Sequence, residues 1–119
     1  RLDLQAGRLQ RIAGTGERGL TGDRGQAMAA TFNGPKGIAY SASDQSLYIV
    51  DTENHAIRRM SLATGLIETV LGTGERGDGP DGDPHDCSLA RPHGVCVSGG
   101  VVYVTDSENH RVRALEGML

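Results

Sequence analysis

The stretch Leu47-Tyr-Ile-Val-Asp-Thr-Glu-Asn-His55 returns 55 residues later as Val102-Tyr-Val-Thr-Asp-Ser-Glu-Asn-His110. Each copy begins with a run of β-prone residues and ends in a polar stretch that is typical of a turn. Self-similarity at a fixed spacing indicates a repeat architecture, so this pair of segments decides how the rest of the chain is interpreted.

The similarity extends outward from both segments. Residues 31–39 align with residues 88–96, and the hexapeptide Gly14-Thr-Gly-Glu-Arg-Gly19 returns unchanged as Gly72-Thr-Gly-Glu-Arg-Gly77. The offset between copies drifts by about one to three residues where Gly, Ser and Asp cluster, which are loop positions that tolerate changes in length.

The hexapeptide GTGERG matches G-x-G-x-x-G, a pattern that cradles a pyrophosphate when a helix begins on its last glycine. Here a Gly- and Asp-rich segment follows both copies, and no helical periodicity is present. We therefore interpret these glycines as turning the chain between repeat units, where glycine accepts a positive φ without steric cost.

One repeat unit contains four short strands. The apolar or mixed runs 37–40, 47–50, 56–62 and 66–71 are separated by polar turns. Four short strands joined by tight turns are typical of a β-propeller blade, so we predict an all-β fold with blades of four antiparallel strands. The chain would hold the end of one blade (residues 1–13, with strands at 1–4 and 8–13), a complete blade (37–71) and three strands of the next (94–116).

The repeated residues resemble the signature of the NHL-repeat family, P-x-G-(apolar)-A followed by an apolar-Y-apolar-x-D-x-x-N-H-x-apolar-R segment. The matching positions are Pro35, Gly37, Tyr48, Asp51, Asn54, His55 and Arg58 in the first copy, and Pro92, Gly94, Tyr103, Asp106, Asn109, His110 and Arg113 in the second. The resemblance implies a six-bladed propeller, of which this chain would supply about two blades, acting as a binding platform.

The signature also has a structural interpretation. A carboxylate at Asp51 or Asp106 can accept backbone N–H groups of its own turn, and Asn54 and Asn109 suit a left-handed position in that turn. Tyr48 and Tyr103 would supply contact area between blades. We expect these residues mainly to build the blade.

The net charge and the length of the apolar runs bear on whether the chain binds nucleic acid or spans a membrane. The net charge of −3 gives no indication of a nucleic-acid partner, and no apolar run approaches the roughly 18 residues of a membrane helix. The compartment is left open.

Two blades leave two apolar faces in water, and repeat proteins usually need at least three units. The faces could be covered by further blades of a longer protein, by a protein partner, or by two more copies in a C3-symmetric trimer in which residues 8–13 of a neighbour complete the last blade. Overlap of repeat positions between residues 1–6 and 114–119, and the missing initiator Met, favour a segment of a longer protein.

No cofactor or metal is expected, although the loop carrying Asp78, Asp81, Asp83 and Asp86 has the oxygen ligands that calcium prefers, without the spacing of an EF-hand. His85, Cys87, His93 and Cys96 are residue types of a zinc site, but Cys87 and Cys96 replace alanines of the first copy. A Cys87–Cys96 disulfide is a further alternative.

The sequence predicts a protein-interaction or scaffold module, more plausibly than an enzyme. A lyase or metal-dependent hydrolase would gather residues such as His55 and His110 in the central tunnel. An RNA-binding surface comes third, with Arg58 and Arg113 contributing to a basic strip whose neighbouring glutamates favour self-pairing.

Overall fold

The computed structural model describes residues 7–117. It contains two antiparallel sheets and, in this part of the chain, no α-helix. The first sheet has four strands in sequential order, β1 (Gly37–Ser41), β2 (Ser46–Asp51), β3 (Ala56–Ser61) and β4 (Ile67–Leu71). The second has three, β5 (Gly94–Ser98), β6 (Val101–Asp106) and β7 (Arg111–Leu115). These are propeller blades, one of four strands and one of three.

The strands therefore lie inside the predicted segments 37–71 and 94–116. Residues 8–13 are not assigned as a strand, and the strand predicted at residues 1–4 lies outside the described residues. Because the pairing partner of 8–13 falls there, the predicted blade end at 1–13 stays a prediction.

Each sheet has two apolar faces. The front face of the first sheet carries Tyr48, Val50 and Ile57, and it packs on the back face of the second sheet, which carries Val102, Val104 and Leu115. Side chains of the linker between the sheets, Cys87 and Leu89, complete this cluster. The main core is thus the interface between consecutive blades, as expected where a single sheet cannot bury its own faces.

The outer faces differ in how they are covered. Ala27 and Ala30, from a short 3₁₀ turn at Ala27–Ala29 and the residue after it, lie on the back face of the first sheet with Ile49 and Met60. On the front face of the second sheet, Tyr103 and Val112 remain exposed.

The linkers 7–36 and 72–93 carry the two copies of GTGERG. Gly14, Gly16, Gly72 and Gly74 all have positive φ, and the second copy leads from the outer strand β4 towards the inner strand β5. No α-helix follows either copy within the described residues, and the short 3₁₀ turn at Ala27–Ala29 does not begin on the last glycine of the motif. The glycines turn the chain between blades, as predicted.

Candidate functional site

A buried polar cluster links the first sheet to its preceding linker. Asp51 at the end of β2 accepts the backbone N–H of Asn33 through Oδ1 at 2.7 Å. Its Oδ2 accepts Asn54 Nδ2 at 2.9 Å and lies 3.4 Å from Arg58 Nη1. The side chains of Asp51 and Arg58 are both fully buried. A buried carboxylate with this many donors remains satisfied without water.

The second blade repeats the cluster. Asp106 accepts the backbone N–H of Ala90, Asn109 Nδ2 and Arg113 Nε, all at 2.8 Å. The two clusters therefore join each linker to the sheet that follows it, and they use the same residue types at the same repeat positions.

The donors to these carboxylates differ from those expected. The backbone N–H groups that Asp51 and Asp106 accept belong to the linkers, 18 and 16 residues upstream, and not to their own turns, which donate only through the asparagine side chains. The left-handed residues are His55 (φ 53°) and His110 (φ 56°), each following a 3₁₀ turn, whereas Asn54 and Asn109 end those turns (Thr52–Asn54, Ser107–Asn109). Each Asn instead donates a second bond to a linker carbonyl, of Gly19 or Gly77.

Arg58 and Arg113 do not form a surface strip, which corrects the prediction. Arg58 donates to the carbonyls of Thr31 and Thr21 and to Asp23, and its guanidinium lies 4.8 Å from the centre of the Phe32 ring. Arg113 has only 10% of its side chain exposed and pairs with three carboxylates, those of Asp78, Asp81 and Asp106. The linkers fold back over both arginines, a long-range contact that repeat spacing does not encode.

The acidic loop at residues 78–86 has three aspartates that accept hydrogen bonds from other residues of the chain, namely Asp78, Asp81 and Asp83. Asp78 accepts from both Arg111 and Arg113, and its pKa lies below the usual range, chiefly because of Arg111. Asp83 Oδ1 accepts the backbone N–H of His85. Within residues 7–117, no group of three or more His, Cys, Asp or Glu side chains is arranged to hold a metal ion.

A polar seam joins the two blades along one edge of their interface. Arg91 donates to both Glu53 of the first blade and Glu108 of the second, at 2.8 and 2.7 Å. The Arg91 side chain lowers the pKa of Glu53. His55 Nδ1 accepts the backbone N–H of Arg91 at 3.0 Å, and partial burial lowers the pKa of His55. Thr52 Oγ1 donates to the carbonyl of Pro92 at 2.8 Å in the same region.

Sequence reasoning missed Arg91. Its counterpart in the first copy is Gly34, so the signal was a charged residue that breaks the repeat at a left-handed position (φ 45°). Because arginine does not recur at this position, the bridge forms only at the interface between the first and second sheets.

The two inner strands approach closely. A Cβ placed on Gly37 would lie 2.8 Å from the carbonyl oxygen of His93, so glycine is required at the start of β1. Pro35 precedes it, and the next residue, Lys36, donates its N–H to Val50 O at 3.1 Å. Pro92 and Gly94 occupy the same places before and in β5.

The cysteines, both inside the described part of the chain, are thiols and form no disulfide. Cys87 is buried in the core between the blades, where burial raises its pKa, and Cys96 is exposed on β5. His55 and His110 sit at equivalent turns, but His55 is already bonded to Arg91.

A family model described as the NHL repeat matches residues 32–60 and 89–115. The chain is 32% identical over 108 residues to the Arabidopsis thaliana protein named Protein SUPPRESSOR OF QUENCHING 1, chloroplastic, covering 87% of this chain and 10% of that protein. It is 28% identical to NHL repeat-containing protein 2 of Bos taurus, covering 77% of this chain and 13% of that protein. The chain thus spans about a tenth of the length of these curated relatives.

Solved structures share the fold. A Bacteroides thetaiotaomicron protein of unknown function superposes with a TM-score of 0.78 at 22% identity, covering 88% of this chain and 26% of that chain. An auxiliary nutrient binding protein from the same organism gives 0.70 at 20% identity, covering 87% and 27%. No helix in residues 7–117 is long and apolar enough to cross a membrane.

Proposed function

Because this chain belongs to the NHL-repeat family of β-propeller proteins, we propose that it is a protein-interaction module whose open front face binds further propeller blades, either of a longer protein or of further copies of the chain. One observation carries the proposal. Tyr103 and Val112 on the front face of the second sheet are 41% and 70% exposed, whereas their repeat counterparts Tyr48 and Ile57 are fully buried by a neighbouring blade. Contiguous apolar residues of this kind mark interaction surfaces.

The opposite end of the chain offers a matching surface. In the internal interface the receiving back face consists of Leu89, Val104 and Leu115. Their counterparts Phe32, Ile49 and Met60 border a cavity of 350 Å³ on the back face of the first sheet. A front face that docks on a back face is a heterologous contact, which closes into a ring if the rotation permits. Three copies of two blades make six blades.

The polar turns match in the same way. His55 accepts the N–H of Arg91 in the internal interface, and Thr52 donates to Pro92 O. In a head-to-tail contact, His110 and Ser107 of one copy would face Gly34 and Pro35 of the next. Because glycine replaces arginine there, the contact between copies lacks the bridge to two glutamates and is weaker than the internal one.

The solution mass of the chain tests the proposal, measured by light scattering on a size-exclusion column over a range of concentrations. We expect a species of about three times the 12.5 kDa chain mass that Val112→Asp converts to monomer. The matched control is Leu62→Asp, which alters an exposed residue in the turn after β3. A wild-type chain that stays monomeric excludes copies of the chain as the source of those blades, and an assembly that Val112→Asp leaves intact contradicts docking on the front face.

The other two functions predicted from the sequence, RNA binding and catalysis in a central tunnel, have less support from the contacts of the described residues. The RNA-binding surface loses its main support because Arg58 and Arg113 are buried in ion pairs. The tunnel enzyme has no supporting observation in residues 7–117 and stays a prediction from the sequence.

A further inference from the structure

The bend that leads from the first linker into β1 contains the dipeptide Asn33-Gly34. Gly34 is exposed and has a φ of 62°, and Asn33 is half-buried. Within residues 7–117, neither the side-chain amide of Asn33 nor the backbone N–H of Gly34 makes a hydrogen bond. These are the two groups that react when an asparagine loses its side-chain amide spontaneously. Glycine also leaves the attacking nitrogen unshielded, because it has no Cβ.

The other two asparagines of the chain, Asn54 and Asn109, are held differently. Each side-chain amide donates two hydrogen bonds, one to a linker carbonyl and one to the signature aspartate of its blade. The backbone N–H that follows each asparagine donates to the first residue of the same 3₁₀ turn. At both positions the reacting groups must therefore break existing hydrogen bonds before they can meet.

Asn33 is also a point where the linker is fastened to the first sheet. Its N–H donates to the buried carboxylate of Asp51 at 2.7 Å, and its carbonyl accepts the N–H of Glu53 at 3.0 Å. The N–H of Lys36 donates to Val50 O at 3.1 Å. The main chain between residues 33 and 36 is thus held at both ends by the end of β2 and the turn that follows it.

We propose that Asn33 is a site of spontaneous deamidation and that the reaction loosens the linker from the first blade. The nitrogen of Gly34 loses its proton to the solvent and bonds to Cγ of Asn33. The bond between Cγ and Nδ2 breaks, and ammonia leaves. Water then opens the five-membered succinimide ring, either at Cγ to give aspartate or at the former main-chain carbonyl carbon to give isoaspartate. Nothing is oxidised or reduced, since the oxygen of water takes the place of the amide nitrogen.

Both products weaken the fastening. Each adds a negative charge at residue 33, beside the carboxylate of Asp51 and close to Glu53, whose Cγ would lie 3.3 Å from a Cβ on Gly34. Like charges repel more strongly where water is excluded. Isoaspartate also inserts a further main-chain atom between residue 33 and Lys36, and it turns the carbonyl that accepts from Glu53 into a carboxylate. The inference is independent of the proposed function, because it concerns the first blade alone.

Ageing the purified chain in mildly alkaline buffer tests the modification. Trypsin, which does not cleave before Pro92, places the three asparagines in the separate peptides 25–36, 37–58 and 77–111. The last two peptides are internal controls, and a sample digested before ageing gives the background. Mass spectrometry should show the amide of Asn33 converted to an acid in the folded chain while the controls stay unchanged.

The same ageing in urea separates the effect of the fold from that of the sequence. Unfolding should speed conversion of the two control peptides at least about tenfold, since it breaks two hydrogen bonds of each amide, and should speed that of peptide 25–36 by less. The proposal is overturned if peptide 25–36 converts no faster than the controls in the folded chain. It is also overturned if urea speeds all three peptides equally.

The melting temperature tests the loosening. Anion exchange separates the deamidated fraction of an aged sample by its added negative charge, and this fraction should melt at least about 2 °C below the unmodified fraction. Asn33→Gln is the matched control, because it keeps the backbone bonds and the amide, but its longer side chain does not close the five-membered ring. Aged Asn33→Gln should keep its melting temperature. Equal melting of the two wild-type fractions, or an equal loss in aged Asn33→Gln, contradicts the loosening.

Discussion

Arg58 Nη1 lies 3.4 Å from Asp51 Oδ2, and neither side chain has any exposed surface. The pair joins β3 to the end of β2 inside one blade. Apart from Asn54, which donates to Asp51, the other hydrogen-bond partners of both side chains belong to the preceding linker. The signature residues of the repeat therefore fasten a long, strand-poor linker to the sheet.

Removing the carboxylate should be costly. Asp51→Ala leaves the buried Arg58 without its nearest buried counter-charge and leaves the N–H of Asn33 unsatisfied, so we expect a loss of about 3–5 kcal/mol in the free energy of unfolding. The measurement is urea unfolding followed by circular dichroism. The matched control is Glu68→Ala, which breaks the exposed pair with Arg59 and should cost less than about 1 kcal/mol. Similar losses in the two variants contradict a structural role for the Asp51–Arg58 pair.

The close approach of the inner strands gives a second prediction. Gly37→Ala would place its Cβ 2.8 Å from His93 O, a backbone atom of the neighbouring blade, so we expect destabilisation by about 1–3 kcal/mol. Gly94→Ala is the comparison, because its Cβ would meet only side-chain atoms of Thr105, Oγ1 at 3.0 Å and Cγ2 at 4.0 Å, and no backbone atom. Thermal unfolding of both variants tests this prediction. A lower melting temperature for Gly94→Ala than for Gly37→Ala would contradict a clash between the Cβ at position 37 and His93 O.

Much of the architecture could be predicted from the sequence, because alternating and apolar runs between polar turns are local signals. The partners of Arg58 and Arg113 could not be, since the linkers that bury them are far away along the chain. An arginine that recurs seven residues after an aspartate in both copies was nevertheless a sign of a structural ion pair. Arg91 is the opposite case, because it does not recur in the first copy and its ion pairs bridge the two blades.

The seam should respond to pH through His55. Burial lowers its pKa, so the folded state binds the proton less readily than the unfolded state does. The stability that neutral His55 contributes is complete above the unfolded pKa of about 6.5 and falls as the pH drops towards the lower folded value. His55→Asn suits the left-handed backbone and removes the titrating group. Urea unfolding at pH 7.5 and 5.5 should show a smaller loss for the variant, and equal losses would exclude His55 as a cause.

The two signature tyrosines should differ in their effect on stability, although they occupy one repeat position. Tyr48 is fully buried between the blades, so Tyr48→Ala should cost about 3–5 kcal/mol, as for other large aromatic residues. Tyr103 is 41% exposed on the open front face, so Tyr103→Ala should cost about 1 kcal/mol or less when the chain is monomeric. Chemical unfolding at low protein concentration measures both. Repeated at high concentration, the cost of Tyr103→Ala should rise towards that of Tyr48→Ala, because assembly buries the second tyrosine as the internal interface buries the first. A cost of Tyr103→Ala that does not change with concentration would mean that the open face stays uncovered.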